Sequence, residues 1–414
     1  MRAPRLWVPA CVITLGLAGT ASATTYYVAP TGNDAGSGSS TSPWQTLQHA
    51  VETIAPGDVI LVRSGTYAGC RIRNSGTPAA PKTLSRDVGA AVLINTPGPQ
   101  NSHSSLIEIE NGSGSEVTDW IVDGFEVANS PHHGIDVRIT NRVTVRNSYI
   151  HHSAQSSSGD GIFLAFSAHP LLENNEVAFN TEHGIYVSNS ADYPTVRGNR
   201  SHHNSGGGIQ LNADYSSRCP CGTTVRDGII SFALVENNVI YENHAFGISL
   251  FATDGAHGSS RNKVYNNTIV QALNGRWCVN IPGKGNKNNP TGNVVKNNIL
   301  YTERVDKGAI AVYSTAAGVL TSDYNVVVDR FSTNGGTSVT STLAQWKALG
   351  FDAHSFISTA AALFVDPATA NYQLKTGSLA IDAGVNLSPD VVADINGFPR
   401  PQRAAYDIGC YEMP

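Results

Sequence analysis

The chain has 414 residues, with 27 Lys and Arg against 32 Asp and Glu, a net charge of -5, only 14% charged residues and 40 glycines. That balance gives no broad basic field for nucleic acid, so a polyanion would have to be held locally. A length that would ordinarily mean two or three domains also suits one elongated domain, provided the chain repeats.

The chain opens Met1-Arg2-Ala3-Pro4-Arg5, runs apolar from Leu6 to Ala18 and reaches Ala21-Ser22-Ala23, the pattern of a secretory signal cleaved after Ala23. The run is too short for a membrane span, and no later stretch is long and apolar enough for one. Residues 1–23 are therefore expected to be a signal peptide, with the mature chain secreted or periplasmic. Cys70, Cys219, Cys221, Cys278 and Cys410 then lie where disulfides form, and a bond from Cys219 or Cys221 to Cys278 is expected.

Thr24 to Ala29 alternate as a strand. Ser42-Pro43-Trp44-Gln45 reads as an N-cap, a first-turn proline and a capping-box glutamine, with Trp44, Leu47, Val51 and Ile54 on one face of a helix that Pro56-Gly57 ends. Such a helix suits the open end of a β-solenoid, where unpaired strand edges invite aggregation. The first coil follows from Gly57 to Tyr67.

From Val122 to Tyr301 one phrase returns: Val122-Asp123-Gly124, Val145-Arg146-Asn147, Leu172-Glu173-Asn174, Val196-Arg197-Gly198, and again at Val235, Val264 and Val295. A second phrase recurs in step, as His133-Gly134-Ile135, Asp160-Gly161-Ile162, His183-Gly184-Ile185, Gly207-Gly208-Ile209 and Phe246-Gly247-Ile248. Units this small cannot bury a core alone and must stack. The period-2 alternation makes them strands, and the fold class expected is all-β, a right-handed parallel β-helix with an N-terminal capping helix. Paired asparagines at 174–175, 237–238, 266–267 and 297–298, with Asn199 continuing the second position, predict a side-chain ladder. Arg146, Glu173, Arg197 and Glu236 alternate in sign as a structural ion ladder. An insertion from about Ala213 to Ser231 interrupts the stack, and the loop Asn274 to Asn293, with Arg276, Trp277, Lys284 and Lys287, is the most basic in the chain. The β-helix with its cap is expected over 24–330, and a C-terminal module over 331–414, opening with a short helix near Leu343 to Leu349.

Tyr26-Tyr27-Val28-Ala29-Pro30 with Gly32-Asn33-Asp34, Pro43-Trp44, Gly57-Asp58 and Gly65-Thr66-Tyr67 resembles the start of bacterial right-handed parallel β-helix proteins. That group includes pectate-lyase and chondroitinase-type polysaccharide lyases and alginate epimerases. The end of the chain, through Ser378-Leu379-Ala380-Ile381-Asp382-Ala383-Gly384, Asp394-Ile395-Asn396-Gly397-Phe398-Pro399-Arg400 and Asp407-Ile408-Gly409-Cys410, resembles a choice-of-anchor Q closing module. The resemblance implies an extended, acidic polysaccharide as partner. No cofactor is firmly implied. Calcium stays open: many pectate lyases of this fold use it with a Lys or Arg base beside clustered Asp, a set that Asp136, Asp160 and Arg138 could supply in part although no multi-Asp motif stands here, and Ser130-Pro131-His132-His133 only echoes the epimerase Asp-Pro-His phrase.

With Ile135 and Val137 and their counterparts inward, the alternate residues face out. Asp136, Phe163, Tyr186, Gln210, Ser249 and Asn280 form one column, and Arg138, Ala165, Ser188, Asn212 and Phe251 the next. Before each glycine stand His133, Asp160 and His183. β-Elimination on a uronate needs a base, a carboxylate neutraliser and a donor to the leaving oxygen. His183 or His133 as base, Tyr186 as acid, and Arg138 with Asp160 as positioning groups supply these parts. Asp136 completes the catalytic set, and Gln210, Asn212 and Lys284 are expected to bind substrate. Two other readings stand beside a lyase, a glycoside hydrolase using Asp136 and Asp160 and a non-catalytic glycan-binding or surface solenoid, and the protein is expected to be a monomer.

Overall fold

The computed structural model describes residues 23–154, 159–213, 227–251, 258–283 and 289–414. Residues 1–22 of the expected signal peptide, Cys219, Cys221, Lys284, Lys287 and most of the insertion lie outside them.

Successive coils stack in parallel along three faces. One face holds eleven strands, from Gly65–Ala68 to Phe356–Ile357, one per coil. The other two are joined where a single long strand such as Ile135–Arg146 turns a corner and pairs along both. On the first of these faces Ile135 pairs with Ile162, then Ile185, Ile209, Ile248, Val279 and Ile310. These side chains are fully buried and form the continuous core. The recurring glycine before each isoleucine follows from close approach of the next coil: a Cβ on Gly184 would sit 2.1 Å from Ser201 Oγ and 2.8 Å from the Gly208 carbonyl.

The asparagine pairs divide their work. The first of each pair turns the corner in left-handed backbone, at φ 55° for Asn174 and 52° for Asn237, with glycine doing so at Gly124 and Gly198. The second builds a buried ladder in which Asn175, Asn199, Asn238, Asn267 and Asn298 each donate Nδ2 to the next Oδ1, at 2.8 to 3.1 Å, ending on Asn325. A second ladder, Asn180 to Asn204 to Asn243, runs at another corner with 2.9 Å steps.

The N-terminal helix is shorter than its capping pattern predicts. It spans Leu47–Thr53 with Thr46 as N-cap, because Pro43-Trp44 is drawn into pairing with the first strand: Trp44 N donates to the Tyr27 carbonyl at 2.9 Å, and Asp34 takes up the Gln45 and Thr46 N–H groups. The face Trp44, Leu47, Val51 and Ile54 is buried as expected. Gln48 exchanges two hydrogen bonds with the Arg71 main chain, at 2.8 and 3.1 Å, satisfying the open edge of Cys70–Ile72.

At the other end Leu343–Ala348 is a helix with a capping box between Thr342 and Gln345. The chain then runs back along the solenoid. Arg400, its side chain fully buried, bonds Glu412 at 2.6 Å and Asn237 Oδ1 at 3.1 Å. Asn266 donates to the Asp407 carbonyl and Asn297 to that of Val385. Cys70, Cys278 and Cys410 are buried free thiols, and Cys219 and Cys221, the expected partners of Cys278, lie outside the described residues. The place of Cys278, one residue before the inward Val279, turns its Sγ into the wall, where it donates to the Tyr301 carbonyl at 3.3 Å. The insertion closes earlier than predicted, since Ile230–Ser231 is already a strand paired with Ala191–Asp192.

Candidate functional site

The outward column expected from alternation is real in register. Asp136 pairs with Phe163, then Tyr186, Gln210, Ser249 and Asn280. Arg138, Ala165, Ser188, Asn212 and Phe251 pair in the same way beside it. The column also extends two coils toward the N-terminus, through Glu108 and Arg71. It is more enclosed than alternation suggests, because alternation fixes the side of a sheet and not what lies over it: Asp136, Gln210, Asn212, Ser249 and Asn280 are all buried.

Asp160 is the hub. It has no exposed surface, and its Oδ1 accepts both the His183 main-chain N–H, at 3.0 Å, and the His183 ring Nδ1, at 2.9 Å. His133 Nδ1 lies 3.2 Å from Asp160 Oδ2 and accepts the Asp160 main-chain N–H at the same distance. Burial alone would push the Asp160 carboxyl up, but the flanking imidazoles of His133 and His183 outweigh it and hold the group at about 2. Two imidazoles thus bracket one carboxylate, and they are not equivalent. His183 keeps part of its ring at the surface, whereas His133 is buried, stacked on Phe163 at 4.4 Å and beside His132 at 3.7 Å. His133 is therefore the less accessible of the two imidazoles.

Tyr186 completes the arrangement. Its ring lies 4.9 Å from that of His183, and Asn212 Nδ2 donates to its hydroxyl at 2.7 Å. Asp136 is held by Arg138 Nε at 2.7 Å, while the Arg138 guanidinium covers Phe163 at 4.6 Å. Asp136 is thus buried and ion-paired. Lys284 lies outside the described residues.

Three groups that sequence reasoning passed over belong to this face. Glu182, next to His183, has its carboxyl pushed up by burial and then by the Asp160 charge. Its place directly before a nominated His was the available signal. His103 pairs with Glu110 at 2.6 Å, and that hydrogen bond raises the imidazole. Glu108 is legible only by continuing the Ile107-Glu108-Ile109 alternation downward. Two donor groups, His132 with His133 and Asp136, and Asp160 with Glu182 and His183, could each hold a metal ion. Both mix imidazole nitrogen with carboxylate, a set suited to a transition metal and not to calcium, which takes oxygen ligands alone. Among the described residues neither group offers the all-oxygen ligand set that calcium takes.

The fold defines a right-handed parallel β-helix protein with an ionisable cluster on one face. The family model described as the Pel9A-like, right handed beta helix region matches residues 26–214. Pectate lyase PEL9 of Emericella nidulans is 27% identical over 200 residues, 45% of this chain and 48% of that protein, so the match spans about half of that relative's length. Uncharacterized protein YwoF of Bacillus subtilis is 24% identical over 328 residues, 66% of this chain and 68% of that one. Among solved structures, pectate lyase Pel9A is similar over 96% of this chain and 98% of its own, with TM-score 0.57 and 16% identity. A rhamnogalacturonan lyase is similar over 73% and 87%, with TM-score 0.51 and 14% identity. Likeness at these identities shows the shared fold. Among the described residues no helix is long and apolar enough to cross a membrane.

Proposed function

We propose that this protein is a polysaccharide lyase that cleaves a uronate-containing chain by β-elimination. The observation that carries the reading is the double acceptance by Asp160 Oδ1 of the His183 backbone and ring N–H groups. With Nδ1 committed to Asp160, His183 presents Nε2 as the basic atom, the orientation a general base requires. Its task is to take the C5 proton of the uronate. Tyr186, accepting from Asn212, gives its own proton to the leaving glycosidic oxygen. Arg138 uses Nε on Asp136 and turns its remaining guanidinium nitrogens to the substrate carboxylate, whose neutralisation makes C5 acidic. The bond from C4 to oxygen breaks, a double bond forms between C4 and C5, and the proton balance closes between His183 and Tyr186. No metal enters these steps.

The names of the similar proteins, pectate lyase and rhamnogalacturonan lyase, support a lyase acting on pectic or related polymers. The test is incubation of the purified chain with pectate, rhamnogalacturonan, alginate and chondroitin while following unsaturated-uronate absorbance. A rise on any of them supports the reading. New reducing ends without absorbance would make the protein a hydrolase, and neither signal would leave a glycan-binding solenoid.

A further inference from the structure

Three coils beyond Tyr186, about 14 Å along the stack at the spacing of parallel strands, the same column reaches Asn280. Here a separate pocket of about 390 Å³ opens, with Phe246, Arg276, Lys307 and Gly336 in its lining. We infer that this pocket is a second, distal subsite of the groove that holds the carboxylate of another uronate unit on the same polysaccharide; the inference rests on the lyase reading for its substrate class.

Charge is the first argument. The pocket is lined by three cations, Arg276, Arg304 and Lys307, and by no carboxylate among the described residues. Arg304 is already committed, to Asp306 at 2.7 and 3.0 Å and to the Asn274 and Gly275 carbonyls. Lys307 Nζ donates to the carbonyls of Gly336 and Thr337, at 3.1 and 3.3 Å, and lies over the Trp277 ring at 5.9 Å. Arg276 lies over the Phe246 ring at 5.4 Å and pairs with no carboxylate among the described residues. Among the described residues Arg276 and Lys307 thus form no salt bridge, in a chain whose net charge is -5. A planar guanidinium beside an ammonium fits a carboxylate better than a neutral hydroxyl.

An independent observation points to a ligand. Asn280 is 2% exposed, yet its Oδ1 has no hydrogen-bond partner. Buried acceptors are rarely left so, and a sugar hydroxyl arriving in the pocket would satisfy it. Gly336 keeps that oxygen open: at φ 84°, a Cβ there would come within 3.1 Å of Asn280 Oδ1 and 2.8 Å of Trp277 Nε1. The half-buried Phe246 face supplies the apolar surface on which a sugar ring packs. Carboxylate, hydroxyl and ring face thus each meet a matching group, on the same column as the cluster at Tyr186.

Affinity electrophoresis tests this, with polygalacturonate and alginate in the gel and their carboxyl-esterified forms as probes of the same chain without charge. The variants are Arg276→Gln, Lys307→Met and the pair together, each checked for unchanged thermal melting. The wild type is expected to bind at least one free-acid polymer, the double variant at least tenfold more weakly, and the ester at least tenfold more weakly and without dependence on either residue. Turnover should show a raised KM at unchanged kcat. Binding by the wild type to neither acid polymer, equal binding to the ester, or undiminished binding by the double variant would each overturn the subsite. A wild type that binds through Arg276 and Lys307 but never produces unsaturated products would sink the lyase reading and leave the subsite standing. Tyr186-dependent turnover with no effect of the double variant on binding would do the reverse.

Discussion

Asp160 Oδ1 accepts from the backbone N–H of His183 at 3.0 Å and from its ring at 2.9 Å, so one buried oxygen fixes both where the imidazole stands and which way it faces. Asp160→Asn keeps the volume and can keep an oxygen toward the backbone, but it removes the charge that orients the ring. Turnover on the cleaved polymer should fall by about 10² to 10⁴-fold. The same group fixes an acid limit. Its folded carboxyl, held at about 2, lies below the unfolded value, so its stabilisation is present above about pH 4 and is lost as pH falls toward 2. Acid-denaturation curves should show wild type losing on the order of 2 kcal/mol more than Asp160→Asn across that window.

Tyr186→Phe removes one hydroxyl from a ring whose packing against His183 and Phe163 is unchanged. Steady-state kinetics should show a loss of about 10² to 10⁴ in kcat with melting little altered. Arg146→Ala provides the contrast, since Arg146 bonds Asp123 at 2.8 Å on a different face. It should cost less than about 1 kcal/mol and leave turnover intact. Full activity in Tyr186→Phe would move the chemistry elsewhere.

Asn174 and Asn175 are sequence neighbours with opposite sensitivities. Asn174 is exposed at φ 55°, so Asn174→Gly should change stability by less than about 1 kcal/mol. Asn175 is buried, donates to Asn199 Oδ1 and to the Val145 carbonyl, and accepts from Ser148 N–H. Asn175→Ala strands those partners and should cost about 3 kcal/mol. Denaturant titration of the two variants separates the roles, and equal losses would refute the division.

Glu236 stands in register with Arg197, but Arg197 is spent on Glu173, at 2.7 and 2.9 Å. Burial therefore dominates and pushes the Glu236 carboxyl up to about 7, with Arg197 opposing too weakly to restore it. The folded value is above the unfolded one, so this group's contribution is full below about pH 4 and is lost as pH rises through 7. Wild-type melting should decline between pH 5 and pH 8, and Glu236→Gln should flatten that decline and be the more stable protein at pH 8, by up to about 3 kcal/mol.

Much of this molecule is legible in its residues because a solenoid writes its register into sequence spacing. The Asn175 ladder, the column from Asp136 to Asn280 and the ion pairs of Arg146 and Arg197 with Glu173 all follow from phrases in step. The ladder from Asn180 escapes because its members are single asparagines in unremarkable loops. The helix start was obscured by a local capping pattern that lost to strand pairing at Trp44. At the site, His133 and His183 look alike in sequence, and only packing under Phe163 distinguishes them.

The returning C-terminal segment bears on how such a protein can change its length. Solenoids otherwise grow or shrink by whole repeats, since each coil touches only its neighbours. Here Tyr411 meets Arg200, Arg400 meets Asn237, Asp407 meets Asn266 and Val385 meets Asn297, so residues 385–411, folded back on themselves, reach four consecutive coils. Duplicating or deleting a coil between Arg200 and Asn297 would throw every later contact out of step. The segment acts as a ruler: it leaves loops at the corners free to vary while holding the coil number between those residues constant.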